Sequence, residues 1–377
     1  MIWPSALILH LKGAMSRILY VAYPLLQVHD ESAGGAEQIL WTLEREMARR
    51  GVHTTVAASA GSRVSGELFS TGQPCAQPDD YERRRVEHED RVIDFVCRSA
   101  REGSPFDLIH DHSGSFWRRA SEVDVPMLAT LHLPRSFYPA GSFDDVPANV
   151  SFNCVSALQA HSFADLDALA GVVPNGIALD CFANSDGAHA TSGIRGRDGL
   201  LWLGRICEEK APHLALKIAE RAGMTITLAG QVYPFSYHQK YFEAEVAPRL
   251  RTMPDARFIS APSAELKRRL LRESLALLIT SMAEETSSLV AMEAAASGTP
   301  VVAFCKGAHA EIVREGVTGF LAEDSAEAAL ALQNIASISP ETCVQHAQKN
   351  FSAVKMAERY FHLYERIATT ERALRFA

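Results

Sequence analysis

Residues 200–210 read LLWLGRICEEK and begin a regular alternation of strands and helices in the second half of the chain. The apolar run Leu200 to Leu203 predicts a buried strand, and the apolar period from Leu214 to Ala222 predicts the helix that follows it. Further strands are predicted at 225–229, 257–259, 275–279 and 300–304. Such an alternation is typical of a doubly wound parallel sheet.

The first half of the chain shows the same alternation. Ile18 to Ala22 predicts a buried strand, Ala36 to Arg50 an amphipathic helix, and Thr54 to Ala58 a second strand. Further strands are predicted at 108–110, 127–131, 152–155 and 172–173, helices at 82–101 and 158–169, and a long loop at 59–80. The segment 184–198 is poor in apolar residues, and 377 residues exceed the usual size of one core. We therefore predict two α/β domains.

The composition is that of an ordinary globular protein, with 47% hydrophobic and 22% charged residues. A formal net charge of −8 and an isoelectric point near 6.0 argue against nonspecific binding to nucleic acid. The seven cysteines are dispersed and form no Cys-x-x-Cys pair, which favours reduced thiols and a cytoplasmic location.

The apolar opening of the chain, Met1 to Leu11, has no basic region ahead of it and is too short to cross a bilayer. Because Met15 immediately precedes the first predicted strand, we interpret residues 1–14 as an extension from an upstream start. No other segment approaches a predicted membrane span.

Two cations flank the turn after the strand that begins at Leu200. Arg205 and Lys210 follow the carboxyl end of that strand, where ligands of doubly wound sheets bind. Arginine is well shaped to hold phosphate oxygens through two parallel hydrogen bonds. The pair could neutralise a departing diphosphate, and surface ion pairs with Glu208 and Glu209 are the alternative.

Two glutamates bracket the predicted start of a later helix. If a strand ends near Thr280 and a helix begins near Ser288, Glu285 lies in the crevice loop and Glu293 one to two turns into the helix. Carboxylates accept hydrogen bonds from sugar hydroxyls, and a helix N-terminus attracts phosphate. The arrangement suits a nucleotide sugar, whereas solvated charges are the alternative interpretation.

The Gly-Arg-x4-Lys element at Gly204 and the Glu-x7-Glu element at Glu285 together resemble the donor site of family 4 retaining glycosyltransferases, the glycosyl transferases group 1. The resemblance extends from Arg17 over most of the chain. It includes Gly34-Gly35-Ala36-Glu37, Thr130-Leu131-His132, Val155-Ser156, Pro174-Asn175-Gly176, Glu311-Ile312-Val313 and Gly316-Val317-Thr318-Gly319-Phe320.

The resemblance implies an α/β GT-B fold, with two Rossmann-like doubly wound domains facing across a cleft. The acceptor-side domain would span 15–172, the nucleotide-sugar domain 173–354, and a C-terminal helix at 355–377 would pack back on the first domain.

The resemblance also implies roles for individual residues. Glu285 would meet the hydroxyls of the donor sugar, Glu293 the ribose, and Gly35 the diphosphate, while His132 would contact the donor sugar. Further donor contacts are expected from Ser287, Ser288 and Leu289, and acceptor contacts from His110 and His112. The catalytic set implied is Glu285, His132, Arg205 and Lys210.

One departure from the family pattern is Thr286-Ser287-Ser288, where many members have Gly-Phe-Gly. Side chains at these positions either reshape the loop or bring hydroxyls to the ligand. Asp165 and Asp167 form an Asp-x-Asp, the metal signature of the other large glycosyltransferase architecture, but they lie in a predicted helix. We expect no catalytic metal and no cofactor.

The predicted function is retaining transfer of a hexose from a nucleoside-diphosphate sugar, UDP being favoured over GDP. The acceptor is a small molecule, a glycan or a lipid-linked group. A nucleotide-sugar epimerase and a non-catalytic nucleotide-sugar-binding protein are the alternatives on the same fold. A dinucleotide-dependent oxidoreductase fits less well, because the full Gly-x-Gly-x-x-Gly fingerprint is missing.

Overall fold

The computed structural model describes residues 16–32, 34–75, 78–182, 196–233 and 235–376. The predicted extension 1–14 lies outside these residues, as does most of the predicted boundary segment 184–198. The chain forms two compact units, Met1–Asn175 with Ala353–Ala377, and Gly176–Ser352. The unit bounds thus fall within three residues of the junctions at 172/173 and 354/355 drawn from the sequence.

The first unit is built on a seven-stranded parallel sheet. Its elements are β1 (Arg17–Val21), α1 (Gly35–Arg49), β2 (His53–Ala58), β3 (Glu67–Ser70), α2 (Tyr81–Arg101), β4 (Leu108–Asp111), β5 (Met127–Leu131), β6 (Val150–Cys154), α3 (Ala157–Ser162) and β7 (Leu169–Val172). The strand order is β3-β2-β1-β4-β5-β6-β7. Its central strands β1, β4 and β5 are buried along almost their whole length, as in sheets that helices cover on both faces.

The second unit is built on a six-stranded parallel sheet. Its elements are β8 (Leu200–Arg205), α4 (Pro212–Ala222), β9 (Ile226–Gln231), α5 (Ser236–Tyr241), α6 (Ala247–Thr252), β10 (Ala256–Ser260), α7 (Ala264–Glu273), β11 (Ala276–Ile279), α8 (Leu289–Ala296), β12 (Val301–Phe304), α9 (His309–Ile312), β13 (Gly319–Ala322), α10 (Ser325–Ala331) and α11 (Pro340–Asn350). The strand order is β10-β9-β8-β11-β12-β13. The order reverses at β8, so the loops after β8 and β11 lie side by side.

The last helix, α12 (Ala353–Phe376), belongs to the first unit and packs against α1. Tyr360 and Tyr364 of α12 are fully buried there. The Tyr364 hydroxyl lies 2.7 Å from Nδ1 of His110, and the Tyr360 hydroxyl lies 3.2 Å from Oγ1 of Thr130. The end of the chain therefore contributes to the core formed by its beginning.

Two predictions about local structure are wrong. The predicted loop 59–80 contains the edge strand β3, whose residues pair with β2. The helix predicted at 158–169 ends at Ser162, because Phe163 and Leu166 turn into the core ahead of β7. Asp165 and Asp167 consequently lie in exposed turns and not in a helix, and Asp165 pairs with Arg135 at 3.1 Å.

Among the described helices, none is both long enough and apolar enough to span a bilayer.

Candidate active site

The candidate active site lies at the carboxyl ends of three adjacent strands of the second unit, β8, β11 and β12. The loops that follow these strands are 206–211, 280–288 and 305–308. Because carboxyl ends of parallel strands meet at one edge of a sheet, the three loops converge there. Arg205 is the last residue of β8, and Lys210 lies on the loop that follows this strand.

An ion pair joins the two elements that the sequence singled out. The ammonium group of Lys210 contacts Oε1 of Glu285, so Lys210 does not use the neighbouring Glu208 or Glu209. Burial opposes ionisation of Glu285, but the Lys210 ammonium outweighs that effect, and the pKa of Glu285 lies below its usual value. The carboxylate is therefore ionised at neutral pH and held beside a cation.

Hydrogen bonds fix the loop after β8 to the loop after β11. The Thr280 hydroxyl contacts the carbonyl oxygens of Lys210 and Ala211 at 3.1 and 2.9 Å, and Nε1 of Trp202 donates to it at 3.1 Å. The amide of Met282 donates to the carbonyl of Glu209 at 2.8 Å. Ala211 has φ 47° and ψ 51°, a left-handed conformation that costs a residue with a Cβ about 1–2 kcal/mol. The site thus holds Lys210 on a constrained loop.

The backbone at Glu285 is also fixed from the β12 side. The amide of Ala308 donates to the carbonyl of Glu285 at 2.6 Å. Gly307 has φ 58°, and a Cβ at this position would lie 2.2 Å from the same carbonyl oxygen. Only glycine therefore permits this approach of the two loops.

Glu293 lies in α8. One oxygen of its carboxylate has a hydrogen-bond partner, and the other has none among the described residues. The side chain is nearly buried, and Oε1 lies 2.9 Å from the ammonium group of Lys267 in α7. Among the described residues Oε2 finds no hydrogen-bond partner. A buried acceptor without a partner is unusual and is available to a ligand hydroxyl. Sequence reasoning missed Lys267, because nothing local in α7 marks its pairing with α8.

The loop 286–288 carries the departure from the family pattern. The hydroxyl of Ser287 is buried and has no hydrogen-bond partner among the described residues. Ser288 is the N-cap position of α8 but makes no side-chain cap bond, and Leu289 begins the helix and packs against the core. The buried hydroxyl of Ser287 is therefore a second polar atom available to a ligand.

His309, at the start of α9, is a further buried polar residue that sequence reasoning missed. Its Nδ1 lies 2.8 Å from the carbonyl oxygen of Phe304, so Nδ1 carries the proton and donates it. Nε2 is then an acceptor, and it has no partner among the described side chains. Burial lowers the pKa of His309, and the ring is neutral at pH 7. No motif or spacing in the sequence marks this histidine.

In the first unit the structure places Gly34 at the N-cap of α1 and Gly35 as its first residue. A Cβ on Gly34 would lie 1.9 Å from Oε2 of Glu37, so the glycine makes room for that carboxyl group. Glu37 is buried, and burial raises its pKa to about 7. The helix start is thus tightly packed around a carboxyl group that ionises near neutral pH.

Three histidine rings of the first unit lie in a row, each close to the next. Nε2 of His132 lies 3.0 Å from Nδ1 of His112, and Nε2 of His112 lies 3.3 Å from Nδ1 of His110. His110 and His112 are fully enclosed by protein, whereas His132 keeps a partly exposed surface. Burial lowers the pKa of His132 to about 4, so its ring is neutral. Of the three, only His132 is thus open to a ligand within this unit.

Known proteins identify the class to which this fold and site belong. The model of the family Glycosyl transferases group 1 matches residues 197–337. The chain is 32% identical over 335 residues to the D-inositol 3-phosphate glycosyltransferase of Mycolicibacterium paratuberculosis, covering 79% of this chain and 76% of that protein. It is 28% identical over 263 residues to the protein of the same name from Streptomyces scabiei. That match covers 60% of this chain and 58% of the relative's length.

Solved structures share the fold at low sequence identity. Sucrose-phosphate synthase from Thermosynechococcus elongatus has a TM-score of 0.74 at 18% identity, with 94% of this chain and 100% of that chain covered. The Anabaena protein HepE, in complex with UDP and glucose, has a TM-score of 0.70 at 18% identity, with 92% and 98% covered.

The chain belongs to the group 1 glycosyltransferases. Its two Rossmann-like units form the GT-B fold, and the predictions of family, fold class and enzyme type are confirmed. It is a glycosyltransferase, an enzyme of the kind that takes its sugar from a nucleotide-sugar donor.

Proposed function

We propose that the protein transfers a hexose from a UDP-sugar to an acceptor with retention of configuration and without a metal in the transfer step. The single observation that carries the proposal is that the Lys210–Glu285 pair is followed along the chain by α8, in which Oε2 of the Glu293 carboxylate has no partner among the described residues. A donor of this class offers a diphosphate, a ribose and a sugar, and each has a matching group in the second unit.

The diphosphate is assigned to Arg205, Lys210 and the start of α8. Arg205 lies at the end of β8 and Lys210 on the loop that follows it. The first amides of α8 have no side-chain cap from Ser288, so they can donate to phosphate oxygens. Together these groups would stabilise the charge that develops on the leaving diphosphate.

The ribose is assigned to Glu293. Oε1 is held by Lys267, which orients the carboxylate, and Oε2 can then accept hydrogen bonds from ribose hydroxyls. An ionised acceptor makes hydrogen bonds about twice as strong as neutral ones. This arrangement favours a ribonucleotide and is indifferent to the base, so the preference for UDP rests on the family resemblance.

The donor sugar is assigned to Glu285, with Ser287 and His309 supplying further polar atoms of the same loops. The Lys210 ammonium keeps Glu285 ionised, which suits it to accept from sugar hydroxyls. Retention would follow the front-face departure favoured for the family, in which the diphosphate oxygen helps deprotonate the acceptor. In the first unit, we assign Gly35 to contact with the diphosphate and His132 to contact with the donor sugar.

The acceptor class proposed first is a phosphorylated polyol. The relatives from Mycolicibacterium paratuberculosis and Streptomyces scabiei are named for D-inositol 3-phosphate. Inositol phosphates and hexose phosphates are therefore the first acceptors to assay. A reducing compartment is proposed as the location, since none of the seven cysteines, all of which the structure describes, forms a disulfide.

The test is calorimetric titration of UDP into the wild-type chain and into Arg205→Ala and Lys210→Ala. Each of these variants is expected to weaken UDP binding about tenfold or more, because a charge-assisted hydrogen bond contributes about 1.5–3 kcal/mol. Lys217→Ala, which removes an exposed lysine of α4, serves as the matched control and should bind like wild type. Unchanged UDP affinity in both Arg205→Ala and Lys210→Ala would sink the phosphate assignment.

Turnover separates transfer from the alternatives. With a UDP-hexose and an inositol phosphate, the proposal expects release of UDP together with a glycosylated product that has the anomeric configuration of the donor. An epimerase would instead yield a new sugar nucleotide from donor alone, without release of UDP. A binding protein would hold UDP and turn over no acceptor.

A further inference from the structure

Cys207, Glu209 and His238 form a cluster of metal-ligating groups in the second unit. Cys207 and Glu209 lie on the loop after β8, and His238 lies in α5. One atom from each, the Cys207 Sγ, a carboxylate oxygen of Glu209 and a ring nitrogen of His238, all lie within 4.8 Å of one another. We propose that these three side chains bind a zinc ion, and that this ion fixes the loop between Arg205 and Lys210.

Unpartnered buried atoms are the first argument for a ligand at this cluster. His238 is fully buried, and among the described residues neither of its ring nitrogens has a hydrogen-bond partner. Oε2 of Glu209 is buried and also lacks a partner. Buried polar groups without a partner are destabilising, and they are unusual in native proteins. A cation between them would satisfy the carboxylate oxygen and one imidazole nitrogen at once.

Aromatic rings lie close to the imidazole of His238. The ring centroid of Tyr237 lies 4.3 Å from that of His238, and those of Phe235 and Tyr233 lie at 5.3 and 5.9 Å. These aromatic rings enclose the imidazole on several sides. A buried imidazole nitrogen that has no partner among the described residues is a setting in which a bound metal would be retained.

The donor set selects the metal. A thiolate, an imidazole and a carboxylate are the three ligand types that zinc uses. Tetrahedral zinc with bonds of about 2.0–2.3 Å places its ligand atoms about 3.3–3.7 Å apart, so side-chain movements of about 1 Å would complete the geometry. With three protein ligands, the fourth position would hold a water molecule.

Charge also supports a divalent cation. A Cys207 thiolate and a Glu209 carboxylate together balance the two positive charges of the ion. Binding would release the Cys207 thiol proton to solvent as the sulfur–zinc bond forms.

The consequence for the loop follows from the order of residues. Cys207 and Glu209 lie between Arg205 and Lys210, so an ion shared with His238 would tie the phosphate-binding loop to α5. The three ligands would not contact the diphosphate themselves. They act as positioning residues, because the bound ion would hold the loop that carries Arg205 and Lys210. This consequence rests on the proposed function, whereas the metal site itself does not.

The test uses the full chain, purified without metal-affinity chromatography, stripped with a chelator and titrated with Co²⁺. The expected result is a thiolate-to-cobalt charge-transfer band that saturates at one equivalent, and displacement of that cobalt by Zn²⁺. Cys207→Ser should abolish the band, and His238→Phe, which keeps an aromatic ring among its aromatic neighbours, should weaken binding at least tenfold.

Cys305→Ser, which removes an exposed cysteine of the same unit, is the matched control and should retain the band. Circular dichroism of each variant checks that it folds, and Glu209→Gln replaces any variant that does not. Absence of the charge-transfer band in wild type, or an equal band in Cys207→Ser, would overturn the site. UDP titration of the stripped and zinc-loaded chains then tests the loop separately. Weaker UDP binding after stripping supports positioning, and equal binding overturns it.

Discussion

Lys267 of α7 holds Oε1 of Glu293 at 2.9 Å, while Oε2 of the same carboxylate has no hydrogen-bond partner among the described residues. One oxygen of the carboxylate is therefore held in a fixed orientation, and the other has no partner among the described residues. This division ties a residue marked by the family pattern to one that carries no pattern.

Replacing Glu293 by Gln should weaken UDP binding about tenfold to a hundredfold. The amide keeps the shape of the side chain but loses the charge that Lys267 and the ribose hydroxyls share, and such bonds contribute about 1.5–3 kcal/mol. Calorimetry with UDP and with 2′,3′-dideoxy-UDP is the measurement. The dideoxy analogue should bind wild type and Glu293→Gln nearly equally, and a tenfold difference for that analogue would contradict the ribose assignment.

Glu285→Gln should lower kcat by about a hundredfold and change UDP affinity by less than threefold. The carboxylate is assigned to the sugar and not to the nucleotide, so its loss removes stabilisation only when a hexose is present. Steady-state kinetics with a UDP-hexose, alongside calorimetry with UDP, provides the check. The conservative Glu285→Asp variant is the control for folding, because it keeps a charge for Lys210. A parallel loss of UDP affinity and kcat would argue for a structural role instead.

Gly307→Ala should destabilise the second unit more than Gly316→Ala. Both glycines have positive φ, at 58° and 67°, so alanine pays a similar conformational cost at each position. At Gly307 the added Cβ would lie 2.2 Å from the Glu285 carbonyl oxygen, whereas at Gly316 it meets no atom within 4 Å. We expect about 1 kcal/mol of destabilisation for Gly316→Ala and about 2–4 kcal/mol for Gly307→Ala. Urea denaturation measures both, and equal losses would show that the loops separate without cost.

Glu37→Gln should change how stability depends on pH. Burial raises the pKa of Glu37 to about 7 from 4.5, so this carboxyl favours the folded state at low pH. That contribution is fully present below pH 4.5 and is lost as the pH rises through 7. Between pH 5 and pH 8 the wild type should therefore lose roughly 2–3 kcal/mol of unfolding free energy that Glu37→Gln keeps.

The difference between Glu37→Gln and wild type isolates this effect from the buried histidines. Burial lowers the pKa of His88 and of His132 to about 4. Their contribution to the free energy of unfolding therefore changes in the opposite direction, since it is lost as the pH falls from about 6.5 to 4. Their contribution is common to both proteins and cancels. A constant difference across pH 5–8 would show that Glu37 ionises normally.

The alternation of strands and helices was predictable because long apolar runs and helical periods are local properties of the sequence. The edge strand β3 was not, since its four residues gain their order only from pairing with β2. The predicted helix after Ser156 was too long, because the apolar period continues into Phe163 and Leu166. These two residues lie in turns and pack into the core. Local pattern cannot distinguish these two uses of an apolar residue.

Residues of the site that belong to a motif could be named in advance, but their partners could not. Lys210 had two acidic neighbours in sequence, yet its partner is Glu285, which reaches it because β8 and β11 are adjacent in the sheet. Lys267 was missed because its partner Glu293 lies in another helix, and His309 was missed because no local pattern marks it. Pairing across a sheet depends on strand order, which no single segment of the chain encodes.

The burial of Tyr360 and Tyr364 against His110 and Thr130 has a consequence for biosynthesis. The first unit cannot close its interior until α12 has left the exit tunnel of the ribosome, whereas Gly176–Ser352 is complete before then. The second unit should therefore complete its folding before the first, although its residues are translated later. A chain truncated just before Ala353 would have an incompletely folded first unit.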